Sequence, residues 1–234
     1  ATFTPDVISW DLDGDTLAPG GTAVVEYSVT IADPPAGDGV LFNGVLGTGP
    51  GSNCADDPAT DIDCYVEIPQ PRIAVDKCTE VGGPFLPVET VLYEFSVINL
   101  GPGDANNVVV WDDLSEVLDD AVYNNDAEIQ AGGPGTVSYD AVNQRLVWNG
   151  PLASGQVVFI RYSLTVNDAD TLGDGAVRNA LLNSACPNPP IFDTSHPDFD
   201  DNCVTVNDVA AWTVRKTSDA VGRVEAGDTV VYTV

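Results

Sequence analysis

The sequence predicts an all-β fold built from tandem antiparallel β-sandwich domains. Two observations predict it: apolar and polar residues alternate over short segments, and the pattern of segments recurs along the chain. Residues 24–31, 90–98 and 158–166 each place a row of Val, Ile, Leu, Tyr or Phe on one face. Gly, Pro, Asn and Asp separate the segments, which is typical of strands joined by turns.

An internal repeat sets the predicted domain boundaries. The residues around Trp10 match those around Trp148, and IAVDKC, which contains Lys77, matches WTVRKT, which contains Lys216. We predict one complete repeat at 72–211, the C-terminal half of a preceding repeat at 1–71 and the first strands of a following repeat at 212–234. We therefore expect an internal part of a longer protein, with its targeting and anchoring segments elsewhere.

The composition is strongly acidic, with 36 Asp and Glu against 8 Lys and Arg and a net charge of -28. Such a surface repels nucleic acid, so no nucleic-acid partner is expected. No apolar run has transmembrane length, so we do not expect this part of the chain to span a membrane. We expect a solvated acidic surface without a cofactor. The alternatives are that some acidic loops bind Ca²⁺ through oxygen ligands, or that the protein works at high ambient salt.

The segment DLDGDT offers one candidate Ca²⁺ loop, formed by Asp11, Asp13 and Asp15. The alternative is a polar hairpin without an ion. The segment also resembles the nucleophile motif of haloacid-dehalogenase-type phosphatases. An extra Asp interrupts that motif, however, and the matching repeat reads WNGPLASG. A phosphatase site is therefore not expected.

Four of the five cysteines form two repeat-equivalent pairs. Cys54 and Cys64 enclose a short acidic loop, and Cys186 and Cys203 enclose a longer loop at the corresponding place. This recurrence predicts one local disulfide in each repeat and hence an oxidising, extracellular environment. Cys78 has Thr217 at its equivalent position, so we predict either a buried unpaired thiol or a link to another chain or region.

The stretch from Phe95 to Leu114, FSVINLGPGDANNVVVWDDL, is a strand, an Asn-x-Gly-Pro turn, Asp-Ala and a Val-rich strand that ends in Asp. With LVWNGPLASGQVVFIRYSLTV, it resembles the Ig-like repeat known as domain of unknown function eleven. That resemblance implies tandem Ig-like sandwiches on an exported, stalk-like or adhesin-like bacterial envelope protein. Ser115 stands where that repeat has Pro, so the next loop need not have the common form.

The two lysines of the chain are repeat equivalents, Lys77 and Lys216. Ig-like domains of bacterial surface proteins often contain a spontaneous Lys–Asn isopeptide bond, and the resemblance makes such a bond a candidate here. The reaction requires a neutral amine in an apolar core, an adjacent carboxamide and a protonated carboxyl group that polarises the amide.

We predict that Lys77 is the nucleophile, Asn179 the acceptor and Asp112 the assisting acid, with Asp113 as the alternative acid. Asp112 ends a strand on the face of Val108 and Val110. The corresponding residues of the neighbouring repeats are Asn43 and Lys216. The alternative is a buried or edge salt bridge between Lys77 and Asp112 with no covalent bond.

These features favour a structural protein: a spacer or shaft repeat of a secreted cell-surface stalk, adhesin or extracellular filament. Its expected partners are neighbouring repeats, with self-association into a filament through edge strands as a variant. The alternative is a binding module that recognises a host molecule, a glycan or Ca²⁺ through acidic, cysteine-closed loops. No Ser/His/Asp set and a single histidine, His196, disfavour an enzyme.

Overall fold

The computed structural model describes residues 2–4, 7–11, 16–32, 37–49, 51–55 and 57–234. The chain divides into two compact units, Ala1–Ala32 and Asp33–Val234. Within the described residues, helical structure is limited to three single turns of 3-10 helix, Pro58–Thr60, Ile62–Cys64 and Gln130–Gly132. None of the described helices has the length and apolar character that a bilayer crossing requires.

The first unit contains one antiparallel pair of strands, β1 (Thr2–Thr4) and β2 (Val7–Ser9). The strand predicted at 24–31 is not present, because that segment lies outside every strand of the described chain. Tyr27 and Val29 on its apolar face are 49% and 61% exposed. Alternation gives a segment the preference for a strand, but the strand forms only where a neighbouring strand pairs with its backbone.

The second unit contains fourteen strands among its described residues. They are β3 (Val40–Gly44), β4 (Tyr65–Pro69), β5 (Ile73–Thr79), β6 (Thr90–Asn99), β7 (Ala105–Asp113), β8 (Ala121–Tyr123), β9 (Glu128–Ile129), β10 (Thr136–Asp140), β11 (Arg145–Leu152), β12 (Val157–Val166), β13 (Ala176–Leu182), β14 (Val204–Asp208), β15 (Thr217–Ser218) and β16 (Tyr232–Thr233).

Ten of these strands form an antiparallel sandwich, which confirms the predicted all-β fold. One sheet has the order β5-β6-β12-β8, with β9 also paired to β12, and the other has the order β10-β11-β7-β13-β14. A single apolar core contains residues from both sheets, including Phe95 and Ile160 from the first and Val110 and Trp148 from the second. The sheets are therefore two layers around one core.

The alternation of the sequence explains which side chains enter this core. Val91, Tyr93, Phe95 and Val97 of β6 are buried, as predicted. The corresponding face of β12 is also buried, from Val158 to Val166. Because successive side chains of a strand point to opposite faces, every second residue joins the core.

Two hairpins outside the sandwich repeat pairings found inside it. In β3–β4 Asn43 lies opposite Val66, and in β13–β14 Asn179 lies opposite Thr205. In β15–β16 Ser218 lies opposite Tyr232, which matches the Thr79–Tyr93 pairing of β5–β6. The internal repeat therefore extends to strand register.

Both predicted disulfides are present, Cys54–Cys64 and Cys186–Cys203. Cys78 is unpaired, and its thiol is exposed rather than buried. The prediction of a buried thiol was therefore wrong. Lys77 points into the sandwich from β5, so the next residue along the strand must point outward.

Candidate functional site

Lys77 on β5 carries a charged side chain that is buried in the sandwich. Val75 and Lys77 face the core, whereas Asp76 and Cys78 face solvent. The Lys77 side chain is 0% exposed. An amine placed so deeply needs either an opposite charge or the loss of its own charge.

The Lys77 amine crosses from the first sheet to the second. Its Nζ donates a hydrogen bond of 2.7 Å to Oδ2 of Asp112 on β7, whose side chain is also 0% exposed. Nζ also lies 3.1 Å from the hydroxyl oxygen of Tyr162 on β12. Asp112 shares its face of β7 with Val108 and Val110, as the alternation predicts. The two sheets are thus joined through a polar contact in an apolar core.

Aromatic rings surround this amine. Nζ lies 5.4, 5.6 and 5.3 Å from the ring centroids of Tyr93, Phe95 and Tyr162. Burial lowers the pKa of Lys77, and the Asp112 carboxylate opposes this effect. Burial also raises the pKa of Asp112, opposed by the Lys77 ammonium and by a hydrogen bond with Tyr162. Burial therefore moves both groups toward their neutral forms, while their 2.7 Å contact stabilises the charged forms.

Asn179 on β13 completes the cluster. It is buried, and its Nδ2 donates a hydrogen bond of 2.6 Å to the Tyr162 hydroxyl. The same hydroxyl accepts from Lys77, so a single hydroxyl group lies between the amine and the carboxamide. Asn179 Oδ1 is buried without a hydrogen-bond partner. A buried acceptor without a partner is costly, so the Asn179 carboxamide is not explained by packing of the core alone.

The structure brings three predicted residues together, Lys77, Asp112 and Asn179, and leaves Asp113 outside. Asp113 occupies the opposite face of β7 and accepts a hydrogen bond from the backbone N–H of Ser115. The Asp113 side chain would reach the core only if the register of β7 shifted by one residue. Asp112 is therefore the carboxyl group of the cluster.

Sequence reasoning missed Tyr162 as a member of the site. Its position in an alternating strand is fully explained by core packing, so its hydroxyl attracted no separate interpretation. One signal was available: Tyr162 and Ser163 match Tyr27 and Ser28 in the preceding repeat. The tyrosine therefore recurs in both repeats together with the proposed acceptor asparagine, since Tyr27 and Asn43 correspond to Tyr162 and Asn179.

The repeat equivalents of the cluster lie at the surface of the second unit. Asn43 is exposed on β3. Lys216 is exposed next to β15, with Nζ 4.6 Å from the ring centroid of Tyr232. This contact resembles that of Lys77 with Tyr93 in the sandwich.

The predicted Ca²⁺ loop is only partly covered, because Asp13 and Asp15 lie outside the described residues and Asp11 is exposed. A different acidic group is present at Asp119, Asp120 and Asp174, whose carboxylate oxygens lie within 4.8 Å of one another. The buried Asp120 carboxylate accepts hydrogen bonds from three backbone N–H groups, those of Gly173, Gly175 and Ala176. Asp174 pairs with Arg178. These contacts brace the turn before β13.

Comparison with known protein families matches residues 73–208 to a domain of unknown function, DUF7927. The chain belongs to the DUF7927 family. The matched range begins with β5 and ends with β14, so it contains both sheets and the whole buried cluster. The function of the DUF7927 family is unknown. The resemblance to the Ig-like repeat known as domain of unknown function eleven stays a prediction.

No curated protein matches this DUF7927 chain significantly. Among solved structures, a GH20 exo-β-N-acetylglucosaminidase from Vibrio harveyi in complex with N-acetylglucosamine is 12% identical, with a TM-score of 0.28. The alignment covers 64% of the DUF7927 chain and 20% of the glycosidase. AvmM, which catalyses macrocyclization in alchivemycin A biosynthesis, is 14% identical, with a TM-score of 0.30 and coverage of 61% and 91%. Similarity at these TM-scores carries no argument about function.

Proposed function

We propose that this protein is a non-catalytic spacer of a bacterial cell-surface stalk, adhesin or extracellular filament, stapled by an isopeptide bond between Lys77 and Asn179. The observation that carries the proposal is the buried cluster of Lys77, Asp112, Tyr162 and Asn179, which connects the two sheets. The two disulfides support an oxidising extracellular compartment, because such bonds persist there.

The proposed reaction balances without a cofactor. The neutral Lys77 Nζ attacks Cγ of Asn179, and protonated Asp112 hydrogen-bonds the developing oxyanion. The bond from Cγ to Nδ2 then breaks, and Nδ2 leaves as ammonia with a proton from the amine. The product is a secondary amide between the two side chains, and no oxidant or reductant takes part.

The burial of the cluster favours this chemistry over a simple ion pair. Desolvation lowers the pKa of the Lys77 amine and raises the pKa of the Asp112 carboxyl group, so it makes the neutral amine and the protonated acid that the reaction requires more accessible. The orphaned Asn179 Oδ1 is the atom that must accept a proton or hydrogen bond during attack. An ion pair alone would leave this carbonyl oxygen unsatisfied.

The test is the intact mass of the chain after reduction and denaturation. We expect a mass short by one ammonia, and a branched tryptic peptide that contains both Lys77 and Asn179. The matched variant Lys77→Met should have its full sequence mass. A wild-type mass equal to the sequence would reject the isopeptide bond and leave Lys77 as the ion-pair partner of Asp112.

A second candidate function is ligand binding by the loop between Cys186 and Cys203. The disulfide and the partly buried rings of Phe192 and Phe199 anchor this loop, while Asp193 and Asp198 are exposed. A fixed loop that presents carboxylates suits Ca²⁺ or a polar host or glycan ligand. Calorimetric titration with Ca²⁺ should release or absorb heat if this candidate is right. A titration without heat of binding would reject Ca²⁺ as a ligand of this loop.

A further inference from the structure

The loop that follows β6 lies against the segment that enters β5. We refer to residues 99–103 as the clamp loop and to residues 69–72 as the linker segment. The linker segment joins the β3–β4 hairpin to the sandwich. We infer that the clamp loop is a joint that fixes the orientation of this hairpin relative to the sandwich.

Asn99 is the centre of the joint. It is fully buried at the end of β6, and its Oδ1 accepts hydrogen bonds of 3.0 Å from the backbone N–H groups of Arg72 and Gly101. Its Nδ2 donates to the carbonyl oxygens of Gly103 at 2.7 Å and Leu152 at 3.1 Å. One side chain thus shapes the clamp loop, ties it to β11 and holds the linker segment.

Backbone hydrogen bonds add to this grip. The Leu100 N–H donates to the Arg72 carbonyl at 2.8 Å, and the Gly103 N–H donates to the Gln70 carbonyl at 3.1 Å. Together with the bond from Arg72 to Asn99, three hydrogen bonds cross between the loop and the linker. A linker held at both Gln70 and Arg72 has little freedom to rotate.

The glycines of the clamp loop are required by this close approach. A Cβ atom on Gly101 would lie 2.3 Å from the Gln70 carbonyl oxygen, and one on Gly103 would lie 2.3 Å from that of Pro69. Both contacts are with backbone, which cannot move aside as a flexible side chain can. The Gly-Pro-Gly sequence therefore allows the two backbones to touch.

The loop also contacts the hairpin itself. A Cβ atom on Gly39, just before β3, would lie 2.8 Å from Cδ of Pro102. Gly39 in turn accepts a hydrogen bond of 2.7 Å from the Gln70 N–H. Val66 and Ile68 of β4 are 59% and 52% exposed, and the apolar core of the sandwich contains none of the described residues of β3 and β4. The orientation of the hairpin depends on the clamp.

The segment that leaves the sandwich after β14 makes the same backbone hydrogen bond as the linker segment that enters it. The Val209 N–H donates to the Gly175 carbonyl at 2.8 Å, just as the Gln70 N–H donates to the Gly39 carbonyl. Gly39 precedes β3 and Gly175 precedes β13, in hairpins of equal register. Each repeat would thus deliver its linker to the next clamp loop in one geometry. The inference rests on the proposed spacer role for its purpose, but its contacts are independent of the crosslink.

Residual dipolar couplings of the full ¹⁵N-labelled chain test the joint. We expect the amides of the hairpin and of the sandwich to fit one alignment tensor in the wild type. Gly103→Ala should abolish the common tensor while the sandwich couplings persist. Gly82→Ala, whose Cβ meets open space, is the matched control and should change nothing. Separate tensors in the wild type, or a common tensor in Gly103→Ala, would overturn the inference.

Amide hydrogen exchange in the wild type provides a readout that does not depend on how the variants fold. The N–H groups of Arg72, Leu100 and Gly103 should exchange as slowly as those inside β6. Rapid exchange at all three would reject the joint. Intact mass is recorded for every sample, so a missing crosslink and a missing clamp give different results.

Discussion

Replacing both charged members of the buried cluster separates a covalent staple from an ion pair. Three variants are compared with the wild type: Lys77→Met, Asp112→Val and the double variant. Either single change leaves one buried polar partner uncompensated, which costs about 3–5 kcal/mol. The double variant restores an apolar contact between β5 and β7, and such a replacement is neutral or stabilises by about 1–4 kcal/mol.

The proposed crosslink would add a contribution to the free energy of unfolding that the double variant cannot recover. A crosslink from Lys77 to Asn179 closes a loop of about 100 residues, which stabilises the folded state by about 4.7 kcal/mol in the chain-entropy relation. We therefore expect the double variant to be less stable than the crosslinked wild type. A purely ionic contact predicts the opposite sign, with the double variant as stable as the wild type or more so.

Urea unfolding at constant m-value gives the four free energies of unfolding, and intact mass gives the crosslink state of each sample. The wild type should lack one ammonia, and all three variants should have full mass. A full-mass wild type whose double variant is equally stable would refute the reasoning. A change in m-value would indicate altered compactness rather than a lost staple, so only variants with the wild-type m-value enter the comparison.

Three further predictions concern the same domain. Tyr162→Phe removes the hydroxyl that contacts both the amine and the amide and should slow crosslinking measured by mass, whereas Tyr93→Phe removes a hydroxyl that bonds to neither group and should leave the rate unchanged; equal rates in the two variants would exclude the Tyr162 hydroxyl from the reaction. The amine–acid pair keeps its net proton count when it becomes neutral. The crosslinking rate should therefore be flat near neutral pH and fall below the raised acid pKa and above the lowered amine pKa, a window narrower than 3.8 to 10.5; a rate that rises steadily with pH would contradict this. Replacing Cys186 and Cys203 by Ser should lower the free energy of unfolding by about 3 kcal/mol, as expected for a loop of about 15 residues, whereas Cys78→Ser should be neutral; equal effects would contradict the role assigned to the disulfide.

The repeat and the alternation predicted much of this molecule. Period-two patterns placed the core faces of β6 and β12, and two matched cysteine pairs predicted both disulfides. The same alternation placed Lys77 and Asp112 on inward faces, because a strand offers only two sides. Distances between such residues were not predictable, since they depend on how two separate sheets pack.

Other features were hidden for identifiable physical reasons. The role of the Tyr162 hydroxyl could not be predicted from the sequence, because core packing alone accounts for an aromatic residue in a row of buried residues. Cys78 was assigned from the usual burial of its residue type, although the inward position of Lys77 already required it to face outward. The strand predicted at 24–31 failed because strand pairing is a property of two segments.

Because Lys77 lies at the start of the sandwich and Asn179 near its end, the proposed crosslink would limit how far the domain can extend under force. The fully extended matched domain of residues 73–208 would span about 480 Å at roughly 3.5 Å per residue. With the proposed bond from Lys77 to Asn179 and the disulfide from Cys186 to Cys203, two closed loops would remove most of that length. The free backbone is then residues 73–77, 179–186 and 203–208, which extend about 70 Å. Such a domain would behave as an almost inextensible link that can lose its fold without lengthening the chain that carries it.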